Sequence, residues 1–272
     1  MKFKNKLELK GAIIGMLLGD ACIPKLGVRG KTHRLTMKQK SAHREYFLMK
    51  KDILENVTSV KVYLGEQSER FGKILFSDRL STLSNPLYCS LRDRMYHDGR
   101  RTADEHVMGS LTPLGLALWY QDDGHYSSGS GSGDMILCTD AYSKTECEMM
   151  ARALQKKFGL QWRVYRHSRK NGEGEKSFFY RLHLRKKDHE NFVSIIQPFV
   201  ADCMKYKIHR EDVSIQAFRG TRKESLVCAA CGNEFQRFKS LNAKYCSKEC
   251  FLSVHQASKR DTAQAEEIVY SA

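Results

Sequence analysis

The sequence has no run of about 18 consecutive apolar residues, so a helix that crosses a membrane is not predicted. It has no block of Lys and Arg and no single basic amphipathic helix, which argues against attachment to a membrane surface. The first residues are basic, but Glu8, Lys10 and the Gly19-Asp20 end of the first apolar segment fit a signal peptide poorly. We therefore expect an intracellular protein.

Acidic residues are few relative to basic ones. The 272 residues include 46 Lys and Arg against 31 Asp and Glu, which gives a formal net charge of +15. Positive charge spread along a chain favours a polyanionic partner, with nucleic acid ahead of a membrane surface, although a merely basic protein is the alternative. A hydrophobic content of 41% and an aromatic content of 10% exclude disorder over the whole chain.

Two segments share an unusual design, because each is an apolar helix that ends at an aspartate. The first, LELKGAIIGMLLGD, covers residues 7–20 and is almost wholly apolar from residue 12 to residue 18. The second, LTPLGLALWYQDDG, covers residues 111–124 and begins with a Thr N-cap before a Pro at the first helical position. We expect two buried helices that end at Asp20 and Asp123.

The residues that follow the two segments also correspond. Each segment leads through a turn-rich stretch into strand-like residues and an amphipathic helix, and then into two further strands and a closing helix. In the second half the closing helix is expected over residues 189–204. This duplication predicts an α+β fold of two αββαββα halves, residues 1–104 and 105–218, related by a pseudo-two-fold axis. A small Cys-containing module is expected at residues 219–252, of which residues 219–223 resemble a linker, and a flexible tail is expected at residues 253–272.

A carboxylate at the C-terminal end of a helix is unfavourable, because the helix macrodipole places partial negative charge there. Gly11, Gly15 and Gly19 lie four residues apart and form a ridge without side chains on the first helix. If the two helices pack side by side, Asp20 and Asp123 converge and repel each other. A divalent ion that prefers oxygen ligands, such as Mg²⁺, would relieve this repulsion. The alternative is that each aspartate caps the turn after it.

The two segments resemble the signature motifs of single-chain LAGLIDADG homing endonucleases. The first motif is IIGMLLGDA, residues 13–21, and the second is LALWYQDDG, residues 116–124. The Leu-Thr-Pro before the second motif and the Gln-Pro-Phe and Met-Lys-Tyr-Lys sequences within residues 197–207 recur in that family. The resemblance covers roughly residues 7–215 and departs from the family at Ala21, which stands in place of the final Gly.

This resemblance implies a saddle in which two antiparallel sheets straddle the DNA and the motif helices lie at the interface of the halves. It implies a monomer that hydrolyses phosphodiester bonds of double-stranded DNA at a long recognition site. The family's metal-binding acid is the eighth position of each motif, here Asp20 and Asp123, and two or more Mg²⁺ ions are expected there. Asp122, at the seventh position, is not expected to be the main ligand.

The family also places a basic residue near each acid. Lys207 matches one such position, whereas the corresponding region of the first half has Arg100 and Arg101 but no lysine. An arginine stabilises negative charge but does not readily release a proton. With Lys207 and Arg101 as the basic residues of the two catalytic sites, we predict that the two DNA strands are cleaved at unequal rates.

Recognition of DNA would come from the strands, in which alternate residues share one face. Basic and polar residues alternate with apolar ones after the first motif and again within residues 162–185. Such a face can read base edges in the major groove, although the solvated face of an ordinary antiparallel sheet has the same pattern. The predicted DNA-binding residues are Arg34, Thr36, Lys38, Lys40, Arg163, Tyr165, Arg181, His183 and Arg185.

Four of the nine cysteines have the spacing of metal ligands. Cys228-x₂-Cys231 is separated by fourteen residues from Cys246-x₃-Cys250. Four thiolates bind Zn²⁺ tetrahedrally, and a module this small needs the metal for its folding energy. We predict one structural Zn²⁺ in a module that resembles zinc ribbons or treble clefs. The module would either contact DNA beside the main site or dock on the rest of the protein or on a partner. If it contacts DNA, removal of residues 220–272 should weaken DNA binding without moving the cleavage position.

Three classes of function are compatible with these features. A site-specific DNA endonuclease of a mobile element, in a bacterium, a phage-infected host or an organelle, has a use for both acids. A non-cleaving nucleic-acid binder on the same scaffold, either an intron RNA maturase or a DNA-binding regulator, has no need for paired acids at an interface. A domain embedded in an intein is less expected, because no nucleophile begins the chain and no His-Asn precedes its end.

Overall fold

In the computed structural model the chain divides into two compact units, Met1–Arg210 and Glu211–Ala272. The structure describes residues 3, 5–26, 30–70, 73–127, 134–170, 172, 174–208, 223–238, 244–247, 249–250 and 253. The expected linker at residues 219–223 and the expected tail at residues 253–272 lie outside these residues, apart from Lys223 and Ser253. None of the helices in the described ranges combines the length and the apolar character that a membrane crossing requires.

Several helices of the larger unit begin at residues whose side chains cap the first turn. Asn5, Asn85 and Thr112 each accept a hydrogen bond from a backbone N–H of the first turn, and Ser143 forms a capping box with Glu146. The helices are α1 (Lys6–Leu18), α2 (Arg44–Leu54), α3 (Pro86–Met95), α4 (Glu105–Gly109), α5 (Pro113–Asp123), α6 (Lys144–Phe158) and α7 (His189–Ile196).

The closing helix of the second half is shorter than the sequence predicts. It was expected to continue to Met204, but α7 ends at Ile196 and is followed by two 3₁₀ segments, Gln197–Phe199 and Asp202–Lys207. Pro198 accounts for the break, because proline has no N–H to donate to the carbonyl one turn earlier and its ring crowds that carbonyl. The break directs the last segment back towards α5.

Two antiparallel sheets belong to the two halves. The first contains β1 (Thr36–Lys40), β2 (Val60–Arg70) and β3 (Lys73–Thr82) in the order β1-β3-β2, followed along the chain by a short pair, β4 (Tyr96–His97) and β5 (Arg100–Arg101). The second contains β6 (Gly124–Ser127), β7 (Asp134–Leu137), β8 (Trp162–Lys170) and β9 (Lys176–Leu184) in the order β6-β7-β9-β8.

The halves differ in the strand directly after the motif helix. The second half has β6 there, whereas the described residues of the first half form an isolated bridge between Cys22 and Thr36. Pro24 lies two residues further on, and proline cannot donate to a strand ladder. Among the described residues, the first half therefore has one strand fewer than the predicted repeat.

The hydrophobic core is continuous between the halves and is centred on the motif helices. All residues from Gly11 to Leu18 and from Leu114 to Gln121 are buried. A helix that is apolar on every side is stable only when other elements cover it completely. The sequence prediction of two buried helices is confirmed.

The smaller unit contains an antiparallel hairpin, β10 (Lys223–Val227) and β11 (Glu234–Phe238), in which Val227 pairs with Glu234. The connection between the strands carries Cys228 and Cys231. It closes through a hydrogen bond of 2.9 Å from the Gly232 N–H to the Cys228 carbonyl, and Gly232 has a φ of +73°, a value that favours glycine. The hairpin therefore brings the first two cysteines together in a tight turn.

Candidate active site

The motif helices α1 and α5 pack with almost no side chain between them. A Cβ atom added at Gly15 would lie 2.0 Å from the Gly115 carbonyl oxygen, and one added at Gly115 would lie 2.2 Å from that of Gly11. A Cβ atom added at Gly19 would lie 2.6 Å from the Cβ of Asp122. Because contacts advance in the same direction along both helices, the helices are parallel and their C-terminal ends meet.

Three carboxylates gather where the helices end. Asp122 Oδ2 accepts a hydrogen bond of 3.1 Å from the backbone N–H of Asp20, which joins the ends directly. Burial, and to a smaller extent the charges of Asp20 and Asp122, raise the pKa of Asp123 to about 7. Asp20 is open to solvent on one side, but burial on its other side and the charge of Asp122 raise its pKa as well. Burial and neighbouring acids therefore disfavour the ionisation of Asp20 and Asp123.

Asp122 is neutralised by a lysine that the sequence reasoning missed. Lys50, on α2, is fully buried and donates hydrogen bonds of 2.8 Å to Asp122 Oδ1 and 2.6 Å to Gln39 Oε1. The ammonium group also lies 4.2 Å from the centre of the Tyr46 ring. Both oxygens of Asp122 accept hydrogen bonds from the protein, one from the Asp20 N–H and one from Lys50. That Asp122 is not the main metal ligand stays a prediction.

Arg101 and Lys207 bind the carbonyl groups at the ends of the two helices. Arg101 donates hydrogen bonds of 3.2 and 2.6 Å to the carbonyls of Leu18 and Gly19, and Lys207 donates bonds of 2.5 and 3.0 Å to those of Gln121 and Asp122. The acceptor positions correspond in the two motifs. Each cation satisfies carbonyls that the helix leaves unpaired and offsets the negative end of its dipole. Burial lowers the pKa of Lys207.

The donor set at this place fits a divalent ion that prefers hard ligands. The carboxylates of Asp20 and Asp123 supply oxygen atoms, which Mg²⁺ and similar ions prefer. Burial, followed by the charge of neighbouring acids, raises the pKa of both carboxylates by more than Arg101 and Lys207 lower it. A cation bound between the helix ends would supply the missing compensation, so the residues present suit the ions that the sequence predicts.

The first half presents the predicted basic face. Thr36, Lys38 and Lys40 alternate along β1 with the buried Met37 and Gln39. The preceding Arg34 is exposed. Gln39, which was not among the predicted site residues, points to the opposite side, where its Nε2 donates a hydrogen bond of 3.4 Å to Asp20 Oδ2.

The predicted residues of the second sheet also share one face, but the protein itself already engages some of them. A groove on this face is lined in part by Arg163, Tyr165, His183 and Arg185. Arg181 forms a two-pronged ion pair with Asp140, at 2.7 and 2.9 Å. Other contacts are a hydrogen bond of 2.6 Å from Arg185 to Gln161 Oε1 and a distance of 3.2 Å between the Nε2 atoms of His167 and His183.

The four predicted cysteine ligands form a cluster in the smaller unit. The ligand atoms of Cys228, Cys231, Cys246 and Cys250 all lie within 4.8 Å of one another. The Sγ distances are 3.6 Å from Cys231 to Cys246 and 3.5 Å from Cys246 to Cys250. Zn–S bonds of about 2.3 Å in a tetrahedron require sulfur separations of about 3.8 Å, so the cluster has the size of a zinc site. The Cys246 N–H donates to Cys228 Sγ at 3.3 Å.

Lys50 and Gln39 could have been found from the sequence. Lys50 lies on the apolar stripe of α2 with Tyr46, Phe47, Ile53 and Leu54, all of which are buried. A lysine on such a stripe requires a buried acidic partner. Gln39 likewise occupies a core-facing position of an alternating strand. A polar residue at a core-facing position of a helix or strand is the signal that identifies both residues.

Paired acidic helix ends, flanked by cations and by antiparallel sheets with basic faces, define a metal-assisted nuclease of the two-motif type. The sequence pattern of the LAGLIDADG DNA endonuclease family matches residues 10–192. The chain belongs to this family. It is a DNA endonuclease, and the enzymes of the family use divalent metal ions to hydrolyse phosphodiester bonds.

Individual relatives agree with this assignment. The DNA endonuclease I-ChuI of Chlamydomonas applanata is 28% identical over 216 residues, which cover 74% of this chain and 94% of I-ChuI. The cytochrome b mRNA maturase bI2 of Debaryomyces hansenii is 25% identical over 208 residues, which cover 75% of this chain and 74% of bI2. The structure of the homing endonuclease I-WcaI bound to its DNA recognition sequence superposes with a TM-score of 0.61 and 21% identity, covering 77% of this chain and 88% of that chain. The predicted family and fold class are confirmed.

Proposed function

We propose that the protein cuts both strands of double-stranded DNA at a long recognition site, and that Asp20 and Asp123 hold the required metal ions, which are Mg²⁺ in the cell. The observation that carries this proposal is the meeting of two acidic helix ends, where burial and neighbouring charge raise the pKa of Asp123 to about 7. A structural core has no use for carboxylates placed where burial and a neighbouring acid oppose their ionisation. A metal site does.

The residues around the acids have distinct parts in this proposal. Divalent ions held there supply neutralisation of phosphate charge and a water of lowered pKa. Asp20 and Asp123 provide the anionic ligands, one from each half. Arg101 and Lys207 place a cation beside each acid, and Lys207, whose pKa is lowered by burial, is better suited than Arg101 to exchange a proton.

Binding of DNA is supported by the net charge of +15 and by the two basic sheet faces. I-WcaI, which shares the fold, was solved with its recognition sequence bound. We propose that Arg34, Lys38, Lys40 and Arg163 contact the duplex directly, because their side chains lie on these faces. Binding of this type releases counterions and therefore weakens steeply as the salt concentration rises.

For the smaller unit we propose one structural Zn²⁺ held by the four cysteines. The sulfur separations and the Cys246 N–H donated to Cys228 Sγ support it. Purified protein should contain one zinc per chain by elemental analysis, and Cys231→Ser should lower that content without reducing the Mg²⁺ dependence of cleavage. Zinc-free wild-type protein purified under metal-replete conditions would refute the assignment. A role of the unit in DNA binding, like the intracellular location, stays a prediction.

The likeness to the maturase bI2 is the observation that favours a second function, assistance in intron RNA folding. It does not compete with cleavage, because the paired acids are present in this chain. An RNA-folding assay with variants that have lost cleavage would separate the two activities.

The central test is cleavage of a duplex recovered by selecting cut molecules from a randomised DNA library. Asp20→Asn and Asp123→Asn should each reduce cleavage by at least roughly 10³-fold while the dissociation constant for the duplex stays within about twofold, because several kcal/mol of charge stabilisation is lost only in the transition state. Asp52→Asn, on the exposed side of α2, is the matched control and should cleave normally. Normal cleavage by either motif variant would refute the assignment of these acids.

A further inference from the structure

Asp20 is part of a closed ring of hydrogen bonds. Its backbone N–H donates to Asp122 Oδ2 at 3.1 Å, and Asp122 Oδ1 accepts from Lys50 Nζ at 2.8 Å. The same ammonium donates to Gln39 Oε1 at 2.6 Å, and Gln39 Nε2 returns to Asp20 Oδ2 at 3.4 Å. The ring begins and ends at a proposed metal ligand and crosses from one half of the larger unit to the other.

The ring determines which way the Gln39 amide faces. An amide can turn over and exchange its oxygen and nitrogen, but an ammonium group only donates hydrogen bonds. Lys50 therefore requires Oε1 on its own side, which leaves the donor Nε2 facing Asp20. Lys50 is itself immobilised, because its side chain is 0% exposed and is enclosed by Asp122 and the Tyr46 ring.

Stability alone does not explain a charged pair at this position. Replacing a buried ion pair by apolar residues of similar size is often neutral or stabilising, so such pairs are weak stabilisers. Partners in the second layer around a metal ligand, in contrast, orient the ligand, and their loss typically costs 10–100-fold in metal affinity or activity. The connection of Lys50 to Asp20 through Gln39 has the form of this second role.

We propose that Lys50 is a positioning residue for the Asp20 metal site. Together with Asp122, it fixes the Gln39 amide with Nε2 towards Asp20, and thereby holds the Asp20 carboxylate in the orientation that binds the ion. This inference rests on the proposed function, because it requires Asp20 to be a metal ligand.

The main test replaces the pair without leaving an unpaired buried charge. Lys50→Met combined with Asp122→Asn should keep the unfolding midpoint and the dissociation constant for the duplex close to those of the parent. Its affinity for Mn²⁺, measured from the free-ion EPR signal with the cleaved duplex bound so that no reaction contributes, should fall about 10–100-fold. Unchanged Mn²⁺ affinity in this double variant would overturn the proposal.

A second measurement asks whether Lys50 acts through Gln39. Gln39→Ala alone should lower Mn²⁺ affinity to a similar extent, and adding it to the double variant should cause no further loss, because the two changes break one chain of contacts. If the losses multiply instead, Lys50 does not act through Gln39 and the proposal is wrong. If the double variant fails to fold, Gln39→Glu tests the same orientation. Glutamate keeps an acceptor for Lys50 but turns an oxygen, which cannot donate, towards Asp20. A Gln39→Glu variant with the Mn²⁺ affinity of the parent would also refute the proposal.

The matched control is Lys51→Met. Lys51 is the next residue on α2, is partly exposed and pairs with Glu55 at 2.7 Å, so its replacement should leave Mn²⁺ affinity within about twofold. Failure of the proposed function would look different from failure of this inference. If Asp20→Asn binds Mn²⁺ as tightly as the parent does, Asp20 is not a metal ligand and the proposed function fails. If Asp20→Asn binds Mn²⁺ more weakly but the Lys50 variants bind it as tightly as the parent, only the positioning role of Lys50 is refuted.

Discussion

The two halves of the larger unit place a cation at the same point but use different side chains. Arg101 binds the carbonyls of Leu18 and Gly19 in the first half, and Lys207 binds those of Gln121 and Asp122 in the second. The position follows from the helix, whose last carbonyls need donors wherever it ends. The capacity for proton exchange follows from the side chain, because burial lowers the pKa of Lys207, whereas an arginine does not readily release a proton.

A second difference lies at the seventh motif position. Gly19 lets the helices approach, whereas Asp122 extends across the seam and is held by Lys50. The pseudo-symmetry therefore holds for the packed backbones of the motif helices and fails for the charges at their ends. From this comparison we expect the two motif helices to contribute equally to folding and unequally to chemistry.

The largest expected effect is on the rates of the two strands. In single-turnover reactions with both strands end-labelled, the parent should cut one strand faster than the other. Lys207→Arg should slow the faster strand by roughly 10²–10⁴-fold if Lys207 exchanges a proton there, and Arg101→Lys should speed the slower strand. Equal rates in the parent would show that the difference between the two cations has no chemical consequence.

The glycine seam should show the equivalence of the halves. Gly15→Ala and Gly115→Ala each place a methyl group within 2.2 Å of backbone atoms of the facing helix, so each should lower the free energy of unfolding by about 3 kcal/mol, the upper part of the range for overpacking. Gly109→Ala, where an added Cβ atom meets nothing within 4 Å, is the control. Urea unfolding measures all three, and unequal costs at Gly15 and Gly115 would contradict the shared seam.

The smallest effect concerns the pH dependence of metal-free stability. The folded pKa of Asp123, about 7, lies above its ordinary value of 3.8, so the folded state binds the extra proton and loses stability as the pH rises from about 4 through 7. Asp123→Asn should therefore stabilise the metal-free protein by roughly 2 kcal/mol at pH 8, after allowance for partial exposure, and have little effect at pH 4. Denaturant unfolding at the two pH values, without divalent ions, measures the difference. A destabilised variant at pH 8 would mean that Asp123 is compensated without metal.

Much of the site could be predicted because its signals are local. An apolar run ended by Gly-Asp, a Thr-Pro helix start and the close spacing within each Cys pair each lie within a few residues. Local rules do not give the partners that a side chain meets from distant parts of the chain. Arg181 was placed on the DNA-facing side of its strand, and the structure adds an ion pair with Asp140, which lies 41 positions away in the sequence.

The sequence alone determined where the motif helices end and which acids they carry, because apolar periodicity and capping act within one or two turns. Tertiary structure decided what those acids meet. Lys50, Gln39 and Asp122 come from separate elements, and their ring closes only when α2, β1 and α5 pack together. Electrostatic interactions in a desolvated interior depend on distances between such elements, and no spacing along the chain encodes those distances.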